Sequence, residues 1–267
     1  GRQRISAILD FLEGKFKLNN LRILKQFNGC CFADLDLKQQ GVIEDFQLLF
    51  YIIQPPTPER VKYDIFDRVN RGGTPLNKQE MRNALYRGRC TRMLDKLCCS
   101  PEFLIATGRS INKERMKDQY VVLRAMAFLM LHRGEFKDIP ALQYRGDIDD
   151  FLARFMVYVN DNAPEKLIVD YENLFIRCMQ ISYDLLGENG FRFSGNGIRR
   201  PINMPLFEAL SYLFSFVPEK IDYTWVSRLI LDIESVKEEF DDSRYFSGNI
   251  DSTTSVSFRF DRMDKII

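Results

Sequence analysis

Apolar residues recur at helical spacing through most of the chain, and this periodicity constrains the fold more than any other feature of the sequence. Within 148–159, 167–185 and 206–217 the hydrophobic positions are mostly three or four residues apart, which places them on one face of a helix. The pattern predicts that the chain is helical from about residue 89 onward and that these stripes form its core. The stripes consist of Ile148, Phe151, Leu152, Phe155, Val159, Leu167, Tyr171, Leu174, Cys178, Ile181, Leu185, Leu206, Leu210, Leu213 and Val217.

The first third of the chain has a different pattern. After a helical pattern at Ile5–Leu12, short β-rich runs occupy residues 16–54 and end in the strand-like apolar run 47–53. Pro55 and Pro56 stop that run. This pattern indicates strands beside a helix.

Two more helix starts follow. Pro58 is typical of a first helical position and predicts a helix to Val69, whereas Asn77 and Glu80 have the spacing of a capping box and predict a second helix to about Tyr86. We therefore expect an α+β part at residues 1–88 and a mostly α-helical domain at residues 89–267.

Composition and charge exclude several classes of protein. Hydrophobic residues make up 45% of the chain and charged residues 28%, which is typical of a globular protein and excludes a disordered one. The formal net charge is only +1, so a surface that binds DNA has to be a local patch. No apolar run approaches the roughly 20 residues of a membrane-spanning helix, and we expect no membrane partner.

The cysteines and the histidine indicate little metal or redox chemistry. The chain has six cysteines and one histidine, and no two cysteines have C-x-x-C spacing. We therefore predict no metal site, and we expect reduced thiols in a cytoplasmic protein. His132 follows an apolar stretch and is expected at a helix end, where its positive charge is favoured. A single histidine excludes a nuclease centre that needs two.

Gly1, Arg2, Gln3 and Arg4 precede the first helical pattern and form the first candidate site. A glycine loop at a helix N-terminus offers free backbone N–H groups, and arginine side chains add forked donors for phosphate. The alternative is a pair of solvated arginines. The chain begins with glycine directly before a helix, so we expect further residues upstream.

The second candidate site is the glycine-containing loop between the two helices predicted around residues 66–84. Its glycines permit a ligand to approach the backbone closely, and its polar side chains are dense for a tight corner. The alternative is a corner in which Asn70 and the Gly72–Gly73 pair satisfy only a turn. The polar side chains are Arg68, Asn70, Arg71, Gln79, Arg82 and Asn83.

Both segments resemble the N-terminal domain family of GmrSD-type modification-dependent restriction systems. That family has a D-G-x-Q-R motif that opens a helix and a longer stretch F-x-R-x-N-x-G-G-x-x-L-x-x-Q-E-x-R-N-A. The segment 1–4 retains the first motif without its aspartate. The second motif matches at Phe66, Arg68, Asn70, Gly72, Gly73, Leu76, Gln79, Glu80, Arg82, Asn83 and Ala84.

The resemblance implies a ParB/sulfiredoxin-like α+β core, incomplete at its N-terminus because the expected upstream strands are missing, followed by helices. It also implies a nucleotide hydrolase or nucleotide-gated DNA-handling protein of bacterial antiviral defence, with Mg²⁺ and NTP as cofactors and an HNH-type nuclease as a frequent partner. The segment 1–4 is also similar to the G-x-R-R phosphate-binding box of ParB-type nucleotide hydrolases.

On this basis we expect Gln3 and Arg4 to be catalytic. Phosphate would be bound by Gly1, Arg2, Arg4, Arg68, Asn70, Gly72, Gly73, Arg82 and Asn83. The leading hypothesis is a GmrS-like protein that binds and hydrolyses NTP and acts on DNA. The alternatives are a non-catalytic, nucleotide-switched adaptor that binds DNA or a partner, and a nuclease that uses carboxylates.

Overall fold

Every regular element in the part of the chain described here is a helix, and those residues contain no β-strand. The expectation of an α+β, ParB/sulfiredoxin-like part at the start of the chain is therefore wrong. The computed structural model describes residues 2–50, 76–193, 199–218, 223–243 and 245–267, together with Val61, Ile65 and Arg68, and it describes side chains from Ile5 onward.

Contacts within the chain define two compact units, Gly1–Gln54 and Pro55–Ile267. The predicted boundary between residues 88 and 89 lies inside the second unit and remains a prediction. The helices are α1 Arg2–Leu12, α2 Leu37–Glu44, α3 Lys78–Leu85, α4 Arg89–Cys98, α5 Pro101–Ala106, α6 Lys117–His132, α7 Ile148–Asp161, α8 Glu165–Leu186, α9 Met204–Phe214, α10 Tyr223–Asp241 and α11 Thr253–Asp264.

The first unit has a small aromatic centre. Phe11 of α1 is buried, and its ring lies 5.6 Å from that of Phe16 and 6.0 Å from that of Phe32. Asp36 caps α2 by accepting a hydrogen bond from the backbone N–H of Gln39 at 2.8 Å. The centre is too small to cover the remaining apolar side chains of this unit, many of which are exposed.

The predicted strand at 47–53 is absent where its residues are described. Leu48, Leu49 and Phe50 have no regular secondary structure and are 46%, 78% and 60% exposed. A strand needs a neighbouring strand to pair its backbone N–H and C=O groups, and the described residues offer none. Positions 51–53 lie outside the described residues.

The second unit is built around α6. Every residue from Val121 to Met130 is buried, because α6 packs against α3, α4, α7, α8 and α9. Helix α8 packs in turn against α5 and α9, and α9 packs against α11. The helices predicted from the three apolar stripes are confirmed as α7, α8 and α9, with the stripes facing this core.

An ion network lies inside this core. Glu208 of α9 is completely buried between Arg124 of α6 and Arg259 of α11, and it accepts hydrogen bonds from both, the second at 3.1 Å. Arg124 also donates to Asp251 at 2.7 Å, and Arg259 donates to the backbone carbonyl of Ile250 at 2.6 Å. The network joins three helices through one carboxylate.

His132 ends α6, as predicted. Its ring stacks on Phe260 with a centroid separation of 3.6 Å. Burial, helped by the charge of Arg259, lowers the pKa of His132 to about 4. The imidazole is therefore neutral near pH 7, and the predicted favourable charge at the helix end does not arise.

Candidate functional site

The first predicted site lies at the start of α1. The helix begins at Arg2, so Arg2, Gln3 and Arg4 belong to its first turn and do not form a loop in front of it. The backbone N–H groups of a first turn have no partner within the helix. The backbone donors on which the phosphate-binding hypothesis depends are therefore still present. Gly1 and the side chains of residues 2–4 lie outside the described part of the structure.

Much of the second predicted site also lies outside it. Arg68 has helical backbone and is exposed, in agreement with the helix predicted from Pro58. Asn70, Gly72 and Gly73 are not among the described residues. The phosphate-binding role expected for these three residues therefore remains a prediction.

The remainder of the motif forms the start of α3, and its capping box is confirmed. The Asn77 side chain accepts hydrogen bonds from the backbone N–H groups of Gln79 and Glu80 at 2.8 and 2.9 Å. The Glu80 carboxylate accepts one from the Asn77 N–H at 2.7 Å. This reciprocal arrangement fixes the first turn of α3 and therefore the positions of Lys78 and Arg82 one turn apart.

Arg82 lies inside the protein. Its side chain is completely buried, and its Nε donates to Gln79 Oε1 at 3.0 Å while Nη1 donates to Asp149 Oδ1 at 2.8 Å. The guanidinium carbon is 5.3 Å from the centre of the Tyr120 ring. Nη2 is buried and has no hydrogen-bond partner in the described part of the chain. Arg82 therefore has one guanidinium nitrogen, Nη2, whose N–H donors are unused among the described residues.

Asn83 holds a strained turn. Its amide accepts from Gln79 Nε2 at 2.8 Å and donates to Gln119 and to the Met116 sulfur, the latter at 3.1 Å. Met116 and Arg115 both have left-handed backbone, with φ of 59° and 57°, which is costly for residues other than glycine. The Asn83 side chain is thus engaged with the protein, as a bracing residue would be.

Lys78 and Asp149 complete the surroundings of Arg82, and sequence reasoning assigned no role to either. Lys78 donates to the second carboxylate oxygen of Asp149. Burial alone would raise the pKa of Asp149, but hydrogen bonds from Lys78 and Arg82 lower it below its usual value. The i, i+4 spacing of Lys78 and Arg82 was visible in the sequence, whereas their partner in α7 lies far along the chain.

Tyr120 connects this cluster to the interior. Two guanidinium groups lie over its ring, with Arg82 at 5.3 Å and Arg124 at 5.6 Å from the ring centre. The Tyr120 hydroxyl accepts a hydrogen bond from Arg124 at 3.0 Å. Since aromatic faces attract cations, the ring stabilises the positive charge of both guanidinium groups. We refer to Lys78, Arg82, Tyr120 and Asp149 as the α3 cluster.

The α3 cluster suits recognition of an anion. It combines an ammonium group, a buried guanidinium with a free nitrogen and an aromatic ring, and forked donors of this kind match phosphate and carboxylate oxygens. No three histidine, cysteine, aspartate or glutamate side chains gather at one point in the described residues. The carboxylate of the cluster, Asp149, is already bonded to two cations, so these residues do not fit a Mg²⁺ ligand set.

Comparison with known proteins assigns the chain to no family and no function. No family model, curated protein or solved structure matches the chain. Among the described helices, none combines the length and the apolar character needed to span a membrane.

Proposed function

We propose that the chain is a GmrS-like protein of bacterial antiviral defence that binds and hydrolyses NTP and acts on DNA. The long motif at residues 66–84 supports the family resemblance. The observation that carries the proposal is the state of Arg82, which sequence reasoning assigned to phosphate. Its guanidinium is preorganised by Gln79 and Asp149, shares Asp149 with Lys78 and still has one nitrogen without an acceptor among the described residues.

In this proposal the α3 cluster and the first turn of α1 contribute separately. Arg2 and Arg4 hold phosphate oxygens with backbone donors of the first turn, and Gln3 orients a water molecule. Arg82 provides the donor on the side of the motif helix α3. Mg²⁺ accompanies the nucleotide, as in nucleotide hydrolysis generally, but no residue of this chain is assigned to hold it.

The first experiment is a titration of labelled NTP with magnesium into the full chain and into Arg4→Ala and Arg4→Lys. Both variants should lose on the order of 30- to 150-fold in affinity, since about 2–3 kcal/mol of charge-assisted hydrogen bonding disappears and lysine lacks the forked geometry. Arg22→Ala removes an exposed arginine of the same unit and serves as the control. Unchanged affinity in Arg4→Ala would remove the phosphate role.

The second candidate function is a non-catalytic adaptor that uses the nucleotide only as a switch to bind DNA or a partner. The contacts of Asn83 favour it, because that side chain braces the Arg115–Met116 turn and has no free role in chemistry. Turnover separates the two functions: phosphate release from bound NTP supports the hydrolase, and binding without release supports the adaptor. DNA cleavage by the chain alone would instead favour a carboxylate nuclease.

A further inference from the structure

The three charged side chains of the α3 cluster differ in solvent exposure, from the interior of the protein to its surface. The Arg82 side chain is fully buried, that of Asp149 is 27% exposed and that of Lys78 is 66% exposed. The carboxylate of Asp149 bonds both cations, with Oδ1 on Arg82 and Oδ2 on Lys78. Asp149 is therefore the solvent-accessible partner of a guanidinium that solvent does not reach.

The Asp149 carboxylate leaves some N–H donors of the Arg82 guanidinium without an acceptor. Arg82 binds it through Nη1 alone, and Nη2 stays without an acceptor among the described residues. A guanidinium typically binds an oxyanion through two parallel N–H donors. A tetrahedral phosphate group has three or more acceptor oxygens, enough for Nη1, Nη2 and Lys78 Nζ together.

We infer that Asp149 occupies an anion site formed by Lys78 and Arg82, and that a phosphate group of the ligand displaces it. This inference rests on the proposed function and names the group that enters the α3 cluster. The chemistry recognised is a phosphate or diphosphate oxyanion, whether free or part of a nucleotide. Displacement frees the Asp149 side chain within the first turn of α7.

The first turn of α7 does not depend on the Asp149 side chain. Asp147 caps this helix by accepting hydrogen bonds from the backbone N–H groups of Asp149 and Asp150, both at 3.1 Å. Asp149 therefore lies in a turn that is held by the backbone independently of its own side chain. The turn can persist when the carboxylate moves away, so ligand binding exchanges one ion pair for another and leaves the fold in place.

The experiment measures thermal stabilisation of the full chain by sodium pyrophosphate and by inorganic phosphate, with sodium chloride at equal ionic strength as the salt control. The test variant is Asp149→Asn, which keeps size and one acceptor but removes the competing charge. The matched control is Asp150→Asn, the next residue, whose carboxylate is exposed and pairs with Arg154 at 2.8 Å.

We expect Asp149→Asn to melt below the wild type in chloride, since Arg82 loses its counter-charge. Pyrophosphate should restore its melting temperature at a concentration on the order of tenfold lower than the wild type needs. Asp150→Asn should follow the wild type. Equal pyrophosphate midpoints in Asp149→Asn, Asp150→Asn and wild type would overturn the inference, and so would equal stabilisation by chloride.

A second variant covers the case in which Asp149→Asn does not fold. Lys78 is largely exposed, so Lys78→Ala should fold normally and should weaken pyrophosphate binding on the order of tenfold by calorimetry. Unchanged pyrophosphate affinity would contradict the inference.

The labelled-NTP titration separates this inference from the proposed function. If pyrophosphate behaves as expected and NTP does not bind the wild type, the anion site stands and the proposed function fails. If NTP binds wild type, Asp149→Asn and Lys78→Ala equally, the proposed function stands and the displacement of Asp149 is refuted.

Discussion

Replacing Glu208 with glutamine tests how the interior ion network contributes to stability. Glu208 and Arg259 are fully buried, and the Arg124 side chain is 2% exposed. The substitution preserves the size of the side chain but leaves the buried guanidinium groups of Arg124 and Arg259 without their shared counter-charge. The amide N–H₂ group of the new glutamine also faces one of these cations. Breaking a buried ion pair on one side costs about 3–5 kcal/mol, which corresponds to a fall in melting temperature of ~6–20 °C for a unit of this size.

Urea unfolding followed by tryptophan fluorescence suits this measurement. The chain has one tryptophan, Trp225 in α10, a helix that packs against α8 in the second unit. Glu239→Gln is the matched control, because Glu239 forms a surface ion pair with Arg262 at 2.9 Å. Loss of such an exposed pair costs about 1 kcal/mol or less.

A third variant distinguishes loss of a partner from loss of polarity. Replacing Arg124, Glu208 and Arg259 together with Met, Leu and Met removes all the charges of the triad and fills similar volume. This variant should recover most of the stability lost in Glu208→Gln, since buried ion pairs can be replaced by apolar residues at little net cost. A Glu208→Gln protein as stable as Glu239→Gln would refute the reasoning.

Three further predictions concern the caps, the turns and the α3 cluster. Asn77→Ala should lower the free energy of unfolding by about 1 kcal/mol through loss of the N-cap, as measured by urea unfolding; an unchanged midpoint would contradict it. Gly108→Ala should cost about 1–2 kcal/mol, because Gly108 has φ of +58° and its Cβ would lie 2.2 Å from the end of Arg199, whereas Gly41→Ala, in open helical space, should not destabilise in parallel melts. Acidification should remove the contribution of Asp149: its pKa is depressed in the folded state, so that contribution is present above the unfolded value of about 3.9 and is lost as the pH falls through the folded one. The melting temperature of Asp149→Asn should therefore depend less on pH than that of the wild type between about pH 5 and about pH 2, and identical slopes would argue against the ion pair.

The sequence predicted the helices of the second unit because their signals are local. The stripe that contains Phe151 and Phe155 and the capping box of Asn77 and Glu80 each lie within a few turns of chain. The partner of Arg82 lies in α7, and nothing in the local pattern selects Asp149 over the adjacent Asp150. Only packing decides which of these carboxylates reaches α3.

The error in fold class has a similar origin. The run that includes Leu48 and Phe50 has the composition of a strand, and the family resemblance strengthened that interpretation. Strand formation depends on a neighbour that the local sequence does not reveal, and the described residues supply none. His132 illustrates the limit for electrostatics: its position at a helix end was predictable, whereas its burial against Phe260 and its neutral state were not.

Helix α6 has no solvent-facing side between Val121 and Met130, and this determines how its amide hydrogens exchange with deuterium. Partial fraying cannot expose the middle of a helix that is enclosed by five others, so exchange there requires the whole second unit to open. These amides should be the slowest in the chain, and their exchange rate should report the global free energy of unfolding. An anion bound to Lys78 and Arg82 of α3 should therefore slow amide exchange in the buried middle of α6 as well.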